Sequence, residues 1–137
     1  IERIDYVHTR ISVPLASDLS KGTYIARTLR QIMDGELVEH PHNEALYDFV
    51  LLEDLMRAYF EIGKQGRNQR DYFIGPSQPA SLRQHFETFQ HLVNGEGGEG
   101  YSQRCKTPHF FDVRPLYDDT GFIPTLGLKN IISKDLD

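Results

Sequence analysis

Gly95-Glu96-Gly97-Gly98-Glu99-Gly100 matches the dinucleotide-binding pattern Gly-x-Gly-x-x-Gly letter for letter. That pattern holds a pyrophosphate only where a strand leads in and a helix leads out, because the phosphates rest on the helix N-terminus. Here a helical pattern leads in, no helical period follows, and two glutamates would repel a phosphate. The run reads as a surface loop. His40 and His42 stand two apart with Glu39 and Glu44 nearby, but zinc takes three or four ligands. A polar turn at Pro41 explains the pair better. Cys105 lies between Arg104 and Lys106, cations that lower a thiol pKa, yet no base or second thiol stands at a recognisable spacing. Glu53-Asp54 and Asp118-Asp119 are adjacent carboxylates. An acid–base pair must converge across a cleft, which neighbours on one helical turn do not do. Both pairs read as helix caps and solvated faces. Neither a P-loop nor Gly-x-Ser-x-Gly is present.

The bulk composition narrows the field further. The 137 residues carry 20 acidic and 15 basic side chains, a net charge of -5, with 39% hydrophobic and 26% charged residues. A chain of this length suits one domain or part of a larger one, and buries roughly two thirds of its unfolded surface. A net negative charge disfavours nucleic acid, whose phosphates need clustered Lys and Arg. No apolar run is long enough to span a membrane. The single cysteine forms no internal disulfide and fits a cytoplasmic setting. The chain opens at Ile1 directly into an apolar run, which suggests a fragment.

Residues 4–13, rich in β-branched and aromatic side chains, read as a strand ended by Pro14. Ile25, Leu29, Ile32 and Met33 keep helical spacing, and Asp34-Gly35 stops that helix. Residues 37–40 read as a short strand broken at Pro41, and residues 45–52 as a further apolar run. Glu53 and Asp54 then open a helix whose expected buried stripe is Leu52, Leu55, Met56, Tyr59 and Phe60, with Gly63 and Gly66 closing it. Residues 71–75 read as a strand. Ser81 and Gln84 form a capping-box pattern before a helix burying Leu82, Phe86, Phe89 and Val93. A short strand is expected at 110–115 and a short helix near 128–134. The alternation of strands and helices predicts an α/β layered architecture with few strands for a sheet of its kind. No internal repeat or long linker divides it.

Four segments, taken in order, carry a family resemblance. Tyr47-Asp48-Phe49-Val50-Leu51-Leu52-Glu53-Asp54-Leu55 resembles the Arg-Asp-Phe-Val-x-Val-x-Asp-Val/Leu segment of extended short-chain dehydrogenases/reductases, the NAD-dependent sugar-nucleotide epimerases and dehydratases. Thr9-Arg10-Ile11-Ser12-Val13 is similar to that family's Arg-x-x-Asn-Val-Tyr-Gly-Pro strand. Residues 72–83 resemble its Tyr-Asn-Ile-Gly-x-Gly-Gln-Pro-x-Ser-Leu run, and residues 119–124 its Leu-Gly-Phe/Trp-x-Pro segment. The resemblance covers nearly the whole chain.

It implies the C-terminal portion of an extended, Rossmann-like α/β fold: a single truncated unit over 1–137, with 1–13 and 45–63 as Rossmann-edge elements. Residues 14–44 and 71–137 would form the substrate-binding lobe. The family's Tyr-x-x-x-Lys is absent, since the residues four before Lys21, Lys64, Lys106, Lys129 and Lys134 are Ser17, Phe60, Ser102, Thr125 and Asn130. The N-terminal glycine fingerprint is absent too. The resemblance therefore implies a fragment without catalytic residues, inactive alone, whose parent binds NAD or NADP and a nucleotide-sugar substrate. Its expected partners are the missing N-terminal Rossmann half and a second copy in a homodimer. The strand at Ile4 to Val13 is expected to expose edge groups and apolar surface that another chain covers, by dimerisation or swapping.

The substrate-binding candidates are Ser12, Val13, Lys21, His40, Tyr47 and Arg114. Val13 replaces the family's Asn, Leu15 and Ala16 its Tyr and Gly, and Tyr47 the Arg that grips the diphosphate. Loss of a charge-assisted anion contact costs about 1.5–3 kcal/mol. Lys21, Arg27 and Arg114 are alternative sources of charge. These departures keep a second expectation open, a non-catalytic binding module derived from the same fold.

Overall fold

The computed structural model describes residues 4–20, 22–95, 109–125 and 127–135. The first apolar run is not one strand but two, β1 (Val7–Ile11) and β2 (Val13–Leu15), hinged at Ser12. β1 pairs in parallel with β5 (Arg70–Ile74), Ile11 opposite Ile74. β2 pairs in parallel with β4 (Phe49–Leu51), Pro14 opposite Val50. The change of partner takes one residue: Ser12 N donates to Ile74 O at 3.0 Å, and Val13 N to Asp48 O at 2.9 Å. Pro14 thus lies inside a strand rather than ending one. Val13 sends its N–H to β4, so by alternation Pro14 turns its nitrogen away and owes no ladder bond.

A helix α1 (Tyr24–Met33) follows, capped by the Thr23 side chain and ended at Asp34 as the sequence predicts. Residues 37–40 form no strand. Leu37 is 97% exposed, and no neighbouring strand among the described residues supplies a ladder. The run at 45–52 splits around Asp48 into β3 (Leu46–Tyr47), antiparallel to β6 (Ala80–Ser81), and β4. Helix α2 (Leu52–Gln65) continues through Gly63 and is capped at Gly66. Helix α3 (Leu82–Val93) carries the full Ser81–Gln84 capping box. Residues 109–111 form a 3-10 turn, not a strand, and lead into α4 (Arg114–Thr120). Pro115 in the first turn of α4 explains this, since its fixed φ and missing N–H suit a helix start. Helix α5 (Leu128–Asp135) comes last.

Two apolar cores result. The first joins Leu15, Leu29, Ile32, Phe49, Phe86, Phe89 and Ile131, and so unites β2, β4, α1, α3 and α5. The second joins Val50, Leu55, Ala58, Ile62, Tyr72, Ile74, Leu116 and Phe122, from β4, α2, β5, α4 and the residues after it. The expected stripe of α2 is only partly right. Leu55 is buried with Ala58 and Ile62, while Met56, Tyr59 and Phe60 are 67%, 44% and 63% exposed.

Neither pair of adjacent carboxylates is solvated throughout. Asp54 is 1% exposed; it pairs with Arg57 Nη2 at 2.7 Å and accepts from Thr125 N at 3.3 Å, tying the tail to α2. Asp119 accepts from Tyr72 Oη at 2.7 Å and pairs with Arg70 Nε at 3.0 Å and Arg67 Nε at 3.4 Å. Arg70 and the tyrosine hydroxyl hold its carboxyl below the usual range.

Candidate functional site

Where β1 and β5 part from β2 and β4, the carboxyl ends of β1 and β5 meet the amino end of β4 at a small crevice; the carboxyl ends of strands are where open α/β sheets bind ligands. A carboxylate fills it. Asp48, between β3 and β4, is 2% exposed. Its Oδ2 accepts from Ser77 N at 3.0 Å and Ser12 Oγ at 3.1 Å, and its Oδ1 from Gln78 N at 3.0 Å. The single Ser12 proton is shared between this carboxylate and Ile74 O at 2.9 Å. Burial pushes the Asp48 pKa up, and the N–H groups of Gln78 and Ser77 with the Ser12 hydroxyl pull it back. Two local features make room. A Cβ on Gly75 would fall onto Ser12 Oγ and within 2.6 Å of Asp48 Oδ2. Ser77 takes a left-handed backbone, φ 58°, uncommon for a residue with a side chain, and its Oγ donates to Phe111 O at 2.7 Å.

His85 forms the second buried polar feature. The capping box of α3 sets it one turn into the helix, where it is 1% exposed. Its Nε2 lies 2.6 Å from Tyr47 O, so the ring donates there. The ring also meets Phe49 edge-on at 4.5 Å. Burial lowers the His85 pKa, with the Tyr47 carbonyl acting the other way, so the ring is held neutral. Asp48, Phe49, Pro76, Gln78, His85 and Gly127 line a cleft of about 40 Å³. That is far below the about 300–1,000 Å³ of a ligand pocket.

The sequence-derived candidates are partly brought together. Ser12 and Val13 lie beside Asp48, and Tyr47 beside His85. Ser12 is committed to the buried network, while Val13 and Tyr47 pack against the first core. His40 lies half-buried in the irregular segment before β3, its Nδ1 enclosed without a hydrogen-bond partner among the described residues. Arg114 has an 83% exposed side chain, turned to Asp112 at 2.8 Å. Lys21, Cys105 and all but the first glycine of the glycine-rich run lie outside the described residues. Among the described residues no three His, Cys, Asp or Glu side chains group as a metal site. Sequence reasoning missed Asp48, Gly75 and His85 as parts of one site. His85 was findable: Leu82, His85, Phe86 and Phe89 keep the spacing of one helix face.

No family model matches the chain, and no curated protein matches it in sequence. Solved structures do match its fold. The Thermotoga maritima UDP-glucose 4-epimerase superposes with a TM-score of 0.67 at 18% identity, over 98% of this chain and 48% of its own. A dTDP-glucose 4,6-dehydratase from Bacillus anthracis gives 0.65 at 13% identity, over 93% and 42%. A UDP-glucuronic acid 4-epimerase from Bacillus cereus gives 0.64 at 14%, over 96% and 46%. The chain therefore has the fold of the NAD-dependent epimerases and dehydratases, the extended short-chain dehydrogenase/reductase fold, as expected. It spans slightly under half the length of these neighbours, consistent with a C-terminal portion of that fold.

Proposed function

We propose that the chain is the substrate-binding portion of an NAD(P)-dependent nucleotide-sugar epimerase or dehydratase. The observation that carries this is the fold match over nearly the whole chain, with four motif segments in family order. Neighbours with this fold were crystallised with UDP-glucose, or with NAD. The crevice at the strand ends supports the reading. Asp48 and His85 fix the backbone around Tyr47, the position where the resembled family places its diphosphate-gripping arginine. A cleft of about 40 Å³ is too small to enclose a nucleotide sugar, which fits a site whose other wall lies in an upstream Rossmann half. NAD or NADP would be held there, where the glycine fingerprint and Tyr-x-x-x-Lys belong. This chain alone would then neither bind the cofactor nor turn over substrate. A cytoplasmic, homodimeric parent completes the proposal.

Calorimetric titration tests it. Nucleoside-diphosphate sugar should bind the polypeptide that includes the upstream coding sequence, and NAD should not bind the 137-residue chain. Tight NAD binding by the 137 residues would contradict the reading. A non-catalytic module is the alternative, favoured by Val13 and Tyr47, which both pack against the first core and bring no charge to the crevice. Binding of nucleotide sugar without turnover by the full polypeptide would favour it.

A further inference from the structure

Ser77 holds a backbone conformation that glycine would hold without strain. Its φ is 58°, in the left-handed region that residues with a side chain seldom adopt. The resembled run Tyr-Asn-Ile-Gly-x-Gly-Gln-Pro has glycine at this place, and this chain has serine. The turn itself asks nothing of the side chain. It sends the N–H of residue 77 to Asp48 Oδ2 at 3.0 Å, and a glycine N–H would donate equally well. What serine adds is its hydroxyl, which donates to the carbonyl oxygen of Phe111 at 2.7 Å.

That bond reaches a separate segment, 34 residues further along the chain. The 3-10 turn His109–Phe111 packs on Phe73 of β5. The Phe111 ring is 8% exposed and meets Phe73 edge-on at 5.5 Å. The Arg10 guanidinium lies 4.8 Å from the Phe110 ring centroid and donates to the Phe110 carbonyl. Arg10 is fixed in turn by Asp71, its Nε 2.9 Å from Oδ1. Two consecutive carbonyls are therefore gripped by side chains from two elements, β1 and the turn after β5. Helix α4 begins three residues on, with Arg114 at its start, so the grip on the turn also sets where Arg114 stands.

We propose that Ser77 is a latch. Its hydroxyl clamps the 109–111 turn to the buried Asp48 network, and the strained backbone is tolerated because glycine has no hydroxyl to offer. Ser77 is a positioning residue, acting through Phe111 on the segment that leads into α4. The latch is independent of the functional reading; only the use of holding Arg114, a substrate-binding candidate, rests on it.

Chymotryptic cleavage of the native 137-residue chain after Phe111, followed by mass spectrometry, tests the latch. Phe111 is buried, so the bond is cut only when the turn has left its seat, and the rate follows the population of that open state. Ser77→Gly removes the hydroxyl and the strain together, while Ser77→Ala removes the hydroxyl and keeps the strain. Both should speed cleavage after Phe111 about two- to tenfold, the equivalent of one hydrogen bond. Ser77→Gly should not speed cleavage after Phe86, which is 0% exposed. Its melting midpoint should stay level or rise, and that of Ser77→Ala should fall. An unchanged rate after Phe111 in Ser77→Gly would overturn the proposal, as would a faster rate that comes with a lowered midpoint. Equal midpoints in the two variants would overturn it too. Nucleotide-sugar titration stands apart, so loss of sugar binding with the latch intact would sink the function and leave the latch.

Discussion

Ile11 and Ile74 sit opposite each other in one parallel ladder, yet Ile74 is fully buried and Ile11 is 43% exposed. The contrast extends to the two halves of the molecule. Around the first core, α1 and α3 spend their apolar faces: Leu29, Phe86 and Phe89 are all 0% exposed. At the β1–α2 margin, the apolar side chains laid out for burial stand in the open. The first region is a finished lobe. The second has the composition of an interior and the exposure of a surface, as interaction surfaces have.

The largest effect should come from the lobe. Phe86→Ala removes a fully buried ring and should cost about 3–5 kcal/mol by urea unfolding. Phe60→Ala in the same chain should stay within about 0.5 kcal/mol. Equal losses would erase the contrast between the two regions.

Next in size are changes at the crevice where the regions meet. Gly75→Ala drives a methyl into Ser12 Oγ and Asp48 Oδ2 and should cost about 1–3 kcal/mol. Asp48→Asn turns an amide toward N–H donors that now meet a carboxylate. It should cost about 1–3 kcal/mol by leaving a buried donor unpaired. If thermal melts of both variants match wild type, the crevice does not couple the regions.

A smaller effect separates the regions by pH. His85, in the lobe, has a lowered folded pKa, so between that value and about 6.5 the unfolded chain binds more protons. Acidification through 6.5 should therefore destabilise the protein, and His85→Gln should flatten that slope. At the β1 margin, Arg10 and His8 lower the Asp71 pKa. The stability it contributes is present above about 3.9 and lost only as pH falls through its lower folded value. Unfolding midpoints at pH 7.5, 5.5 and 3.5 distinguish the two windows, and an unchanged slope in His85→Gln would remove His85 from the account.

The lobe was the more legible region in the sequence. The helical spacing of Ile25 to Met33 and the Ser81–Gln84 capping box are local signals, and the structure meets both. Local signals failed where a partner decides the outcome. The segment at 37–40 has strand-forming residues and no strand among the described residues to pair with, while Pro14 was tolerated because its nitrogen faces away from β4. The α2 stripe failed for a different reason: its sequence encodes two apolar rows, and this chain covers one. The crevice was half legible. Asp48 stood inside the segment that carried the resemblance, but its role depends on Ser12, Gly75 and Ser77, which only the change of strand partner brings together.

The proposed function makes this chain the substrate-binding portion of a longer enzyme whose Rossmann half would meet the β1–α2 margin, and residue-level amide hydrogen exchange tests that most directly. Ser12 N–H points to β5, so by alternation the N–H groups of Thr9 and Ile11 point to the free edge. The account predicts fast exchange at both amides in the 137-residue chain. With the upstream sequence attached, exchange there should slow on the order of a hundredfold or more while the Phe86 and Phe89 amides change little. Equal exchange at Thr9 and Ile11 in both forms would contradict it.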